Sequence, residues 1–335
     1  MQAQRLVPYP TRLPEMQRTL LDTASAGLAF LGRHAAAAVA VLVVLGIGLP
    51  PLGALLRPLV PAAVFALLCT AFVRLDPPTV VAHLRRPGLL LAAIAWTSLA
   101  LPFLFGIGAR LVALASGSSA LHLGLVLQGA TSPVMAAAAL AGLMGLDATI
   151  VLLAVIGNAA LLPLTAPLFV RSFAGSALSL LPWELAVRLF ALLAGSALLA
   201  LVLRRLLGAD RIARRGTQID GLNVLLLFVF VAGVMSGVAH SFAADPWFVL
   251  AIAGLAFTVF GLVFAATVLL FARAGRDQAR TLGFMCAQRN VGLMIAATGG
   301  ALPATVWLYF ALAQLPIYLS PLLARLLRRA GPRRA

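Results

Sequence analysis

The chain has 335 residues, 62% of them hydrophobic and 10% charged, with 25 basic side chains against 9 acidic ones and a formal net charge of +16. A soluble domain carries about 25% charged residues, so this chain has too little polar surface to cover its own core in water. Its basic residues are all arginine and fall between apolar runs; membrane topology accounts for that placement, and a nucleic-acid partner is not expected despite the charge.

Apolar runs of about 17–25 residues mark helices that cross a bilayer. Residues 1–34 are polar, contain Pro and Arg, and are expected to form a cytoplasmic tail without a cleavable signal. The first span is placed at Ala35–Leu49, ended by Pro50-Pro51, and the second at Leu52–Val73. The third covers Gly88–Ile107, the fourth Ala120–Leu143, the fifth Ala148–Val170 and the sixth Trp183–Leu203. After a polar connection at Arg204–Gly221 come the seventh at Leu222–Ala239 and the eighth at Trp247–Phe271. The ninth follows at Leu282–Ala297 and the tenth at Pro303–Leu323. Cys69 and Cys286 both fall inside these runs, with no CxxC or Cys/His cluster, so neither a disulfide framework nor a metal or other cofactor is expected.

Arginine placement fits ten spans with the N-terminus inside. Alternating from there, 20 of the 25 arginines fall on the cytoplasmic side and only Arg57, Arg110, Arg171 and Arg188 outside. Short Arg-rich loops stay cytoplasmic. The expectation is therefore an all-α polytopic protein of a bacterial inner membrane, multi-pass, with both termini cytoplasmic. It divides into a tail at 1–34, a first five-helix repeat at 35–175, a second at 176–325 and a basic cytoplasmic tail at 326–335.

An odd number of spans per half means that the halves enter the membrane in opposite directions. Each half carries an interruption in its fourth span: Gln128-Gly129-Ala130-Thr131-Ser132-Pro133 in one, Gln288-Arg289-Asn290-Val291-Gly292 in the other. Pro133 lacks an N–H and clashes with the preceding turn. Non-helical backbone is tolerated at membrane depth only where protein buries it or a cavity adjoins it. Paired broken helices at matching places in inverted repeats point to a transport site. Gln128, Thr131, Ser132, Pro133, Gln288, Arg289 and Asn290 are thus candidate substrate-binding or gating residues, with Asn158 added as an intramembrane amide. A kinked packing helix is the plainer alternative for either break alone.

Arg289 is the sharpest candidate. A charge at the membrane centre costs about 2.5–3.5 kcal/mol on the insertion scale, and every acidic residue of the chain maps to a loop, a tail or a span end. It can hold an anionic substrate through its planar fork, serve as a tethered cation where another protein binds a metal ion, or cap the carbonyls of the other break. Gln314 is a weaker cavity candidate, Thr97 and Ser98 are expected to bond their own helix, His122 and His240 to be solvated near span ends, and Trp183 and Trp247 to anchor at the interface.

At these breaks the sequence resembles the bile acid:sodium symporter family. The segment Ala279-Arg280-Thr281-Leu282 followed by Gln288–Leu293 is similar to that family's ninth helix. Gly129–Ser132, Gly145-Leu146-Asp147 and Leu162–Pro167 are similar to its fourth and fifth. The resemblance spans essentially the whole transmembrane chain. It implies a panel and a core domain, with the fourth and ninth helices crossing at their breaks, and alternating access for organic anions, often driven by sodium. The chain departs from the family at the sodium ligands. Met285 stands where sodium-coupled members carry Glu, Arg289 where they carry Gln, Pro133 where they carry Asn, and Val151 and Val155 where they carry hydroxyl residues. A guanidinium there would repel sodium at short range.

The resulting expectation is a secondary transporter of a small organic anion, not coupled to sodium through the family's usual sites, with the lipid bilayer as its other partner. The alternatives are ordinary sodium symport and, from another class, a non-transporting sensor or scaffold on a transporter fold. An enzyme is not expected, since the spans hold no paired carboxylates, HExxH or Ser/His/Asp set.

Overall fold

Prolines and small polar caps set the helix boundaries in the computed structural model, which describes residues 15–34, 41, 44–46, 48–74 and 87–330. Helix α1 is Glu15–Arg33. Next come α2 (Pro50–Val73) and α3 (Pro87–Ser116), both opening on proline, which is pre-organised for the first helical turn. The shorter α4 (Ser119–Gly129) and α5 (Ala137–Leu143) follow, then α6 (Ala148–Ala174), α7 (Pro182–Leu207) and the six-residue α8 (Ala209–Arg214). The last five are α9 (Gly216–Ala244), α10 (Pro246–Leu270), α11 (Arg276–Ala287), α12 (Val291–Ala297) and α13 (Ala304–Ala330). The described residues are helical, with no sheet.

Six of these helices, α2, α3, α6, α7, α9 and α10, are long and apolar enough to cross a membrane, and by that measure the chain is a multi-pass membrane protein. Their ends follow local chemistry. Asp147 caps α6, its carboxylate accepting from Thr149 N at 3.0 Å and Ile150 N at 3.1 Å. Asp245 caps α10 by accepting from Phe248 N at 2.9 Å, and Ser118 caps α4 by accepting from Leu121 N at 3.2 Å. Gly117 ends α3 at φ 67°, a left-handed conformation that a Cβ would strain.

Helices α7 and α9 both pack on α2, α7 also packs on α6, and α1 lies along α9. A second group joins α3, α4, α6, α10, α11 and α13, with α12 reaching across to α2. The larger buried apolar cluster draws on helices of both groups, including α2, α4, α6, α7, α9 and α13, and the smaller is centred on α3, α6 and α11.

Residues 15–33 of the segment placed as a tail are helical: α1 seats on α9 where Gly221 meets Leu28, a Cβ at Gly221 falling 1.9 Å from the Leu28 carbonyl oxygen. Two expectations change. The third span runs nine residues past Ile107, because nothing before Gly117 stops it, and Arg110 stands within it over the Phe173 ring at 5.3 Å. The polar connection Arg204–Gly221 is mostly helical, with α7 running to Leu207 and α8 and α9 following. The basic tail placed at 326–335 is helical as far as Ala330. The first span, Ala35–Leu49, falls largely outside the described residues.

Candidate functional site

The two interruptions meet. Helix α4 stops at Gly129 and α5 begins at Ala137, while α11 stops at Ala287 and α12 begins at Val291. Between them Pro133 and Arg289 form an antiparallel bridge, in which Val134 N–H donates to the Gln288 carbonyl at 2.7 Å and Asn290 N–H donates to the Ser132 carbonyl at 2.9 Å. Pro133 has no N–H to offer, so the residues around it carry the pairing. Two broken segments thereby satisfy each other's backbone groups, which an apolar surrounding demands. Gly129 is required by the close approach: a Cβ there would lie 2.2 Å from the Phe105 Cβ of α3.

Arg289 is 1% exposed. Its Nε donates to the Gln128 carbonyl at 3.4 Å and its Nη2 to the Gly129 carbonyl. Because α4 ends there, neither oxygen has an i+4 helical partner, and the Gln128 carbonyl also accepts from Thr131 N at 3.2 Å. The guanidinium thus sits at the negative end of a helix dipole. Its Cζ lies 5.7 Å from the centre of the Phe105 ring, and its Nη1 has no hydrogen-bond partner. Carbonyl dipoles orient the cation without neutralising it. Among the described residues the one carboxylate ion pair is Arg74 with Asp220, at 2.6 Å, so the charge at the crossing is uncompensated.

The other candidates divide. Gln128 is buried and accepts from the Tyr309 hydroxyl of α13. The Thr131 hydroxyl turns back to the Gln128 carbonyl at 2.7 Å, tightening the end of α4. Ser132 contributes its carbonyl to the pairing. Gln288 donates from Nε2 to Ser320 Oγ at 3.0 Å and leaves Oε1 without a partner. Asn290 is partly exposed, beside Gly292, whose missing Cβ leaves room for the Phe230 ring of α9 at 3.0 Å.

Asn158 stands apart from the crossing in its bonding. It accepts from Ser98 Oγ at 2.5 Å and donates to the Ala154 carbonyl at 2.7 Å, tying α6 to α3. A π-helical turn at Trp96–Ala100 aims Ser98 inward. Thr97 bonds the Ala93 carbonyl of its own helix at 2.7 Å, as expected, whereas Ser98 does not follow that expectation. Met285, Val151 and Val155 are all buried in one apolar cluster.

Sequence reasoning missed Tyr309, Phe105 and Phe230. An aromatic residue within an apolar span gives no signal of its own until the fold sets it beside a break. Arg57 and Arg188 were read only as topology signals. The Arg57 guanidinium lies 4.3 Å from the centre of the Trp307 ring, and Arg188 Nη1 donates to the Ala297 carbonyl at 3.3 Å, at the last residue of α12. Trp307 in turn donates to the Gly300 carbonyl at 3.2 Å. These contacts join α2 and α7 to α12 and α13.

Compared with known proteins, the chain matches no family model and no curated sequence.

Proposed function

We propose that the chain is a secondary transporter of small organic anions in which Arg289 acts as a tethered cation, so that sodium is not needed at the helix crossing. The observation that carries this is the Arg289 guanidinium, buried and held by the carbonyls that end α4. In a transporter of this design, carbonyls freed at helix breaks hold the coupling ion, and half-helix ends meet the substrate. A covalently attached guanidinium gives those carbonyls a permanent partner. Its charge, lacking a carboxylate, favours the approach of an anion to the crossing.

This reading includes ten spans in two inverted five-helix repeats and the likeness to bile acid:sodium symporters, and it places both termini in the cytoplasm of a bacterial cell. In this reading α2, with α7 and α9 packed on it, belongs to the panel, and the helices that carry the two breaks belong to the core. Of the roles open to Arg289, the tethered cation is better supported than direct substrate contact, since Nε and Nη2 are engaged by backbone and only Nη1 remains. Met285, Val151 and Val155, buried in apolar contact, support the loss of sodium ligands.

The test is a thermal-shift screen of organic anions on purified protein, in sodium chloride and in choline chloride. The expected result is stabilisation by at least one carboxylate or sulfonate to the same degree in both salts. Stabilisation that requires sodium would overturn sodium independence, and a screen with no stabilising anion would favour a sensor or scaffold.

A further inference from the structure

We propose that the basic segment around α8 is a binding surface for the headgroups of anionic phospholipids in the leaflet that it meets. Helix α7 ends with Leu206 and Leu207 exposed by 74% and 42%, a pair placed to face acyl chains at the end of a membrane-crossing helix. Gly208, at φ 79°, turns the chain within one residue, and α8 begins at Ala209. Ile212 is the residue of α8 that is buried, packed in a cluster with Val73 and Ala200. That contact fixes α8 to the ends of α2 and α7 and leaves its other sides outward. Arg211 and Arg214 lie on those sides, and Arg205 and Arg215 flank them; all four are exposed.

Exposed Leu206 and Leu207 stand between exposed Arg205 and exposed Arg211, so apolar and cationic side chains alternate at this turn as they do where hydrocarbon meets headgroups. The counter-charge is small. Asp210 is the one acidic residue in the segment 205–215, which leaves a net charge of +3 from four arginines. Asp220, the next along the chain, is engaged by Arg74 at 2.6 Å.

Phosphate oxygens match the planar guanidinium fork, two N–H donors to two acceptors. A phosphatidylcholine headgroup carries its own cation and gains little here, whereas phosphatidylglycerol brings an uncompensated charge. An arginine near an anionic surface strengthens association about fivefold, and the effect falls off over a Debye length of about 10 Å. The surface does not depend on transport activity, so it stands or falls separately from the proposed function.

The full chain is reconstituted in nanodiscs of equal parts phosphatidylglycerol and phosphatidylcholine, extracted into detergent, and its retained lipid measured by mass spectrometry. The wild type should retain phosphatidylglycerol over phosphatidylcholine by at least about tenfold, and R211Q/R214Q/R215Q should lose most of that preference. Arg171→Gln, an exposed arginine at the far end of α6, should keep it. Equal retention of both lipids by the wild type, or an unchanged preference in the triple variant, overturns the proposal. If the triple variant does not fold, the wild type decides through salt: the preference must collapse between about 0.1 and 0.5 M sodium chloride. A preference that survives overturns the proposal.

Discussion

Arg289→Met removes the guanidinium and keeps most of the apolar stem. Two charge-assisted hydrogen bonds to the Gln128 and Gly129 carbonyls are lost, each worth about 1.5–3 kcal/mol. Against that loss, an unpaired cation no longer has to be held at membrane depth, a relief of about 2.5–3.5 kcal/mol. At the middle of both ranges the balance is a net destabilisation of about 1.5 kcal/mol, which for a chain of 335 residues is a fall in melting temperature of roughly 2 °C. Arg289→Ala takes the guanidinium away from the same carbonyls and adds space beside them. If the guanidinium stands in for an ion, that variant should gain a cation dependence which the wild type lacks. The assay is thermal unfolding of purified protein in sodium chloride against choline chloride at equal ionic strength. Sodium should raise the melting temperature of Arg289→Ala and leave the wild type unmoved. Sodium stabilisation of the wild type, or an Arg289→Met variant as stable as the wild type, would refute the reasoning.

Tyr309→Phe deletes the donor to Gln128 Oε1 and leaves a buried amide oxygen without a partner, so stability should fall by about 1–3 kcal/mol in the same unfolding assay. Gly221→Ala sets a methyl against the Leu28 carbonyl, which is backbone and has little freedom to move; α1 should detach, seen as protease cleavage within 15–33, while the rest of the chain stays folded. Arg57→Gln removes the cation over Trp307 and should shift that residue's emission, with a stability loss of about 0.5–1 kcal/mol. The emission is best followed with Trp96, Trp183 and Trp247 replaced by Phe.

The sequence by itself determined that this is a helical membrane protein, because span length and charge exclusion follow from the bilayer and need no tertiary contact. Helix starts are also set locally, since Asp147, Asp245 and the prolines at 182 and 246 act on backbone a few residues away. The two breaks were legible for the same reason: Pro133 and the polar run at 288–290 disturb their own helices. What stood opposite them was not. Nothing local says that Val134 pairs with Gln288, that Arg289 spends its donors on Gln128 and Gly129, or that Asn158 bonds Ser98 instead of joining the crossing. Those partners lie between 60 and 161 residues away. Arg204–Gly221 looked like a loop because its residues are polar, yet α8 is held by one buried isoleucine against its neighbour α7 and the distant α2. Polarity along a chain reports what each residue prefers to meet; only the packing of the helices decides what it does meet.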